Sequence, residues 1–133
     1  MISDLIYFLS ALGLLSLVIL FHELGHFFVG KWCGIKVSTF SIGFGKPIIY
    51  WVTKNGTKWQ LAWFLIGGYV KFSQKVSNHD DKLAFDEASL LKRFLTVLAG
   101  PLASFIFAIL TFIPIFMATG SNSEEPIVGE IAQ

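Results

Sequence analysis

Two long apolar runs decide what this chain can fold into. Leu5–Val29 holds 25 residues, about 37 Å as a helix at 1.5 Å per residue. That exceeds the ~30 Å hydrocarbon core of a bilayer, so the run spans it with some tilt. Leu95–Ala118 holds 24 residues and no charged side chain. Over the 133 residues, 54% are hydrophobic and 14% charged, against about 45–50% and about 25% in soluble domains. The 14 Phe, 4 Trp and 3 Tyr suit lipid with aromatic anchors at its edges. The first run is not a cleavable signal peptide: it lacks a basic leading region, is too long, and no small-residue cleavage site follows. The expected fold class is an integral membrane protein, α with a membrane-associated β-hairpin or sheet. Two transmembrane helices flank a mainly β segment.

All 10 Lys and Arg residues, from Lys31 to Arg93, lie between the two runs. The positive-inside rule therefore places residues 30–94 in the cytoplasm and the acidic tail, with Glu124, Glu125 and Glu130, on the opposite side. The net charge of +1 points to no particular partner, and no nucleic acid is expected. A single cysteine, Cys33, excludes an intrachain disulfide and any multi-cysteine metal site; it reads as a small buried or interfacial residue.

Four regions follow. Residues 1–31 form the first transmembrane helix, with Asp4 near its N-terminus. Residues 32–86 form a β region and loop on the cytoplasmic side. Its strand-like pieces are Ile35–Ile42, Pro47–Thr53, Lys58–Leu65 and Tyr69–Phe72, with Asn55-Gly56 as a hairpin turn. The polar stretch 74–86, holding His79, reads as a loop in which His79 is solvated. Residues 87–118 approach and form the second transmembrane helix. Residues 119–133 are a linker and a short strand. Trp51, Trp59, Trp63, Phe64 and Leu65 make the β region unusually apolar. Either a small sheet packs on itself and the helices, or it dips into the membrane face and offers an open edge for strand addition.

The chemistry sits in His22-Glu23-Leu24-Gly25-His26, an H-E-x-x-H motif on the first helix. Residues four apart lie on one face about one turn apart, so His22 and His26 can hold one Zn²⁺. Glu23 beside them can serve as general base on water activated by the metal. Apart from these three, Leu5–Val29 has no ionisable side chain except the Tyr7 phenol. Ionisable groups in a span cost about 2.5–3.5 kcal/mol each on insertion scales and mark function. Competing readings are histidines bonded between helices with Glu23 as partner, and haem ligation. Lys31 puts the motif near the cytoplasmic end, within reach of water. Gly25 and Gly30 permit close approach of a neighbouring backbone. Gly43-Phe44-Gly45 reads as a turn, Ala99-Gly100-Pro101 as a kink or tight helix contact, and Ser104 as a hydroxyl bonded to the i−4 carbonyl.

These residues, in this order, resemble the site-two-protease family of intramembrane zinc metalloproteases. The nearest likeness is to the bacterial type that carries PDZ domains and cleaves anti-sigma factors. The resemblance rests on Val18–Phe28 around the motif, on Phe40–Gly45, on Leu65–Lys71, on Ala84-Phe85 and on Ala99–Phe105. It implies zinc bound by His22 and His26, with Glu23 as catalytic base. It implies a membrane-associated hairpin in which Gly67, Gly68, Tyr69 and Val70 hold unwound substrate. It also implies an Ala-Gly-Pro motif beside the site, and a substrate-binding role for Ser104, which stands where members often carry Asn. Ile127–Ala132 resembles the opening strand of a PDZ domain.

The family takes its third zinc ligand from a Leu-Asp-Gly motif on a later helix, and this chain has none. The expectation is thus the N-terminal part of an endopeptidase of the bacterial inner membrane, inactive alone. Its partners would be a substrate helix, such as that of an anti-sigma factor, the bilayer, and a C-terminal half carrying the third ligand. The alternatives are a non-catalytic membrane binding or regulatory module and, with fewer ligands than it would need, a metal-transport subunit.

Overall fold

The computed structural model describes residues 1–74 and 82–120. His79 and the Ile127–Ala132 strand lie outside the described residues. In chain order the elements are α1 (Ile2–Trp32), β1 (Val37–Val52), β2 (Lys58–Phe72) and α2 (Leu90–Thr119). Both helices are long and apolar enough to cross a membrane.

Helix α1 runs without a proline for 31 residues. Asp4 in its first turn pairs with the Met1 amino group at 2.7 Å. It ends at Gly34, whose φ of +80° suits a left-handed cap. There Gly34 N–H donates to Lys31 O and Ile35 N–H to Gly30 O. Helix α2 begins at Leu90, three residues later than the sequence suggests. Residues Ala84–Ala88 form a turn instead: Glu87 and Ala88 N–H donate to Ala84 O, and the Glu87 carboxylate accepts from Ala84 N–H.

The four strand-like pieces are fused into two bent strands forming one antiparallel sheet. Thr39–Ile42 lie opposite both Lys58–Leu61 and Gly68–Lys71, while Pro47–Val52 pair with Lys58–Ala62. Thr39–Ile42 are therefore covered on both sides. The outer edges are residues 47–52, starting at a proline that offers no N–H, and residues 68–72. Gly43 belongs to the bend of β1 rather than to a separate turn. Its φ is +88°, and a Cβ there would meet Phe64 O at 2.7 Å, so neither the backbone nor the space admits another residue.

The core sits where the sheet meets α1. Phe27, Val37 and Phe40 are buried, and the Phe27, Phe40 and Trp59 rings lie 4.6–5.4 Å apart. From this junction the sheet runs along α1 as far as Gly67, which lies against Ile19. Lys31 to Ile19 is about 18 Å of helix. The far end of the sheet exposes Trp63 (70%) and Phe64 (67%).

Candidate metal centre

His22, Glu23 and His26 project from one stretch of α1, and α2 holds the two imidazoles. His26 Nδ1 lies 2.8 Å from the Thr96 carbonyl. A carbonyl only accepts, so Nδ1 carries the proton and Nε2 the free lone pair. His22 Nδ1 lies 3.1 Å from Ser104 Oγ. That hydroxyl donates to Gly100 O, as the i−4 expectation held, and so accepts from His22 Nδ1. The same tautomer follows for both rings, which stand edge to face with centroids 4.8 Å apart. Both Nε2 atoms face Gly100, where a Cβ would overlap His26 Nε2 and His22 Nε2.

The helices can come this close because Gly25 packs on the Ala99 carbonyl and the Ala103 methyl, while Gly30 receives the Phe72 ring and the Thr96 methyl. Thr96 is fully buried, and its hydroxyl donates back to Lys92 O. The Ala-Gly-Pro segment thus lies directly against the two histidines.

Glu23 points to the sheet. Its Oε2 accepts the Val70 N–H at 3.0 Å, on the outer edge of residues 68–72. Of the other substrate-binding candidates, Gly68 lies against Ser41 O and Gly67 against Ile19. The Tyr69 hydroxyl accepts from Gln60 Nε2 at 3.0 Å, which ties this side chain into the sheet. Ser104 lies on α2, engaged by His22. An open cavity of about 380 Å³ borders His22, Pro101, Ser104 and Phe105.

Sequence reasoning did not find Thr96, whose contribution is a backbone carbonyl, nor the His22 contact of Ser104. The available signal was the spacing Thr96, Gly100, Ser104: two hydroxyls and a glycine, each four residues apart, on one face of an apolar helix.

Two Nε2 lone pairs converging on a niche that a single Cβ would fill, each imidazole fixed through Nδ1, suit a tetrahedral metal such as zinc. Among the described residues no three His, Cys, Asp or Glu side chains gather as a complete ligand set. A helix-borne histidine pair with an adjacent carboxylate, on one of two described helices long and apolar enough to cross a membrane, points to the metallopeptidase class. The profile of peptidase family M50 matches residues 10–133, and the chain belongs to that family, the site-two proteases.

Similar curated proteins carry corresponding names. A protein of Agrobacterium fabrum named provisionally as a zinc metalloprotease is 40% identical over 96% of this chain and 37% of its own length. One of Vibrio cholerae, named in the same way, is 42% identical over 96% of this chain and 28% of its own length. Metalloprotease MmpA of Caulobacter vibrioides is 36% identical over 98% of this chain and 38% of its own length. The chain therefore spans roughly a third of the length of these relatives.

Proposed function

We propose that this chain carries the catalytic helix of a zinc-dependent intramembrane endopeptidase that cleaves transmembrane segments of membrane proteins, an anti-sigma factor being one candidate. The supporting observation is the placement of one helix between two devices. On one side the Nε2 atoms of His22 and His26 converge beside Gly100. On the other, Glu23 reaches the open edge of the sheet at Val70.

His22 and His26 would hold zinc, with a third ligand from a segment outside the described residues; the cavity beside His22 leaves room for it. When bound, zinc supplies Lewis acidity, lowering the pKa of water and polarising a carbonyl. The residues of this chain do the rest. A substrate segment, locally unwound, pairs as an added strand along Gly68–Val70, taking the Val70 N–H from Glu23 and freeing that carboxylate. Glu23 takes a proton from the attacking water and delivers it to the amide nitrogen. The C–N bond breaks, leaving a carboxylate and an amine. The sheet descends beside α1, so the substrate backbone meets hydrogen-bond partners at a depth where lipid offers none. In this reading residues 30–94 face the cytoplasm of a bacterial inner membrane.

The test uses the purified chain in detergent, alone and with the C-terminal part of a longer relative. Zinc content and cleavage of a transmembrane peptide are measured, with Glu23→Gln as control. Zinc-dependent cleavage that appears with the added part and vanishes in Glu23→Gln is expected. No zinc and no cleavage in either arrangement would leave a non-catalytic binding module in its place.

A further inference from the structure

Along residues 68–72 the sheet ends in an edge beside α1. In an antiparallel pair, successive residues turn their N–H and C=O groups alternately toward the partner strand and away from it. Two contacts fix which residues turn inward. Lys71 O accepts from Ser38 Oγ at 2.8 Å, and Ser73 N–H donates to Lys36 O at 2.8 Å. Gly68, Val70 and Phe72 therefore turn their backbone groups outward. An open edge of this kind recruits passing strands unless it is covered.

At Val70 the cover comes from α1, where Glu23 Oε2 accepts the Val70 N–H at 3.0 Å. An amide carries one hydrogen, so it cannot serve Glu23 and the carbonyl of an added strand together. The carboxylate is the stronger competitor, because charge-assisted hydrogen bonds are roughly twice as strong as neutral ones. The strand itself is held in place. Val70 and Phe72 pack on the Phe27, Val37 and Phe40 core together with Leu20 and Leu24 of α1. The contact therefore opens by rotation of the Glu23 side chain rather than by movement of the edge.

We propose that Glu23 has a second role, as the guard of this edge. While its carboxylate holds the Val70 N–H, the edge is closed to strands. A segment pairs there only if it brings a backbone carbonyl free to take the place of Glu23. A helical segment binds its carbonyls within itself and cannot make the exchange, so the guard selects segments that are already unwound. The inference rests on the protease reading for Glu23 as base, and adds that the base opposes the binding of the segment it acts on.

The whole chain is held in detergent with a zinc chelator, so that nothing is cleaved. It is titrated with an acetylated, amidated peptide of alternating Val and Thr, which is extended by propensity. Calorimetry gives the Kd, and hydrogen exchange at Gly68 and Phe72 locates the peptide. Glu23→Ala is expected to bind it at least about tenfold more tightly than the parent chain, since no hydrogen bond to a charged group has to be given up. Glu23→Gln, which keeps a weaker, neutral acceptor, should fall between the two. Val70→Pro lacks the contested N–H at an edge position that tolerates proline; there, adding Glu23→Ala should change the affinity by less than about twofold. Equal affinities of the parent chain and Glu23→Ala would overturn the proposal. So would a gain that survives in Val70→Pro, which would assign it to charge or space alone, and so would a Glu23→Ala chain that takes no peptide at Gly68. None of these readings needs zinc or cleavage. A chain that never cleaves but shows the exchange would sink the protease reading and keep the guard; a chain that cleaves with equal affinities would do the reverse.

Discussion

Replacing Gly100 with alanine separates two effects that usually travel together. In a helix interior the change is favourable by about 1 kcal/mol, and at Gly13, where nothing lies within 4 Å of an added Cβ, that gain should appear unopposed. At Gly100 the Cβ would occupy the space of His26 Nε2 and His22 Nε2. The rings can yield only by swinging away from Thr96 O and Ser104 Oγ, the partners at 2.8 and 3.1 Å that set their tautomers. Losing one such partner weakens metal binding about 10–100-fold, so losing both should weaken it by about 10²–10⁴-fold if the two act independently. Overpacking costs about 1–3 kcal/mol, of which the helix gain returns about 1 kcal/mol, so the net loss of stability is about 0–2 kcal/mol. Zinc affinity by chelator competition, read beside helix content and thermal stability in detergent, resolves the two. Gly13→Ala should bind zinc like the parent chain; Gly100→Ala should not. Unchanged zinc affinity in Gly100→Ala would show that the imidazoles do not converge at this niche.

Three further outcomes follow from the same contacts. Ser104→Ala should weaken zinc binding about 10–100-fold, whereas Ser104→Asn, which still offers an acceptor to His22 Nδ1, should recover most of it by the same chelator assay. Glu23→Ala strands the Val70 N–H and should destabilise the sheet edge by about 1–3 kcal/mol; Glu23→Gln retains an acceptor oxygen and should not, so hydrogen exchange at Val70 would distinguish them. Phe40→Ala removes a fully buried ring and should cost about 3–5 kcal/mol, measured by denaturant titration in detergent.

Much of this architecture could be read from residue patterns. The apolar lengths gave both helices, Asn55-Gly56 gave the hairpin turn, and His22, Glu23 and His26 stood out because ionisable groups are costly in an apolar run. What escaped was whatever depends on backbone paths meeting. Gly43 and Gly67 look like breaks between strands, yet each lies within a strand that bends at positive φ. Alternation says which face a residue occupies but not that Thr39–Ile42 would be paired on both sides. One of the two contacts that fix the histidine pair, Thr96 O, is a carbonyl that any residue type could supply, so nothing in the identity of residue 96 announces it.

The two halves of the site lie at different points along the chain, and that orders their assembly as the protein is made. Glu23 finds Val70 once β2 exists. His26 and His22 wait for Thr96 and Ser104. Val70 and Ser104 are 34 positions apart, roughly 2–7 s of synthesis at about 5–20 residues per second. For the first 26 of those positions, up to Thr96, Glu23 already has its partner while the histidines have none. The two imidazoles thus stay without their fixing contacts while Glu23 already has its own, and α2, arriving last, brings them into order.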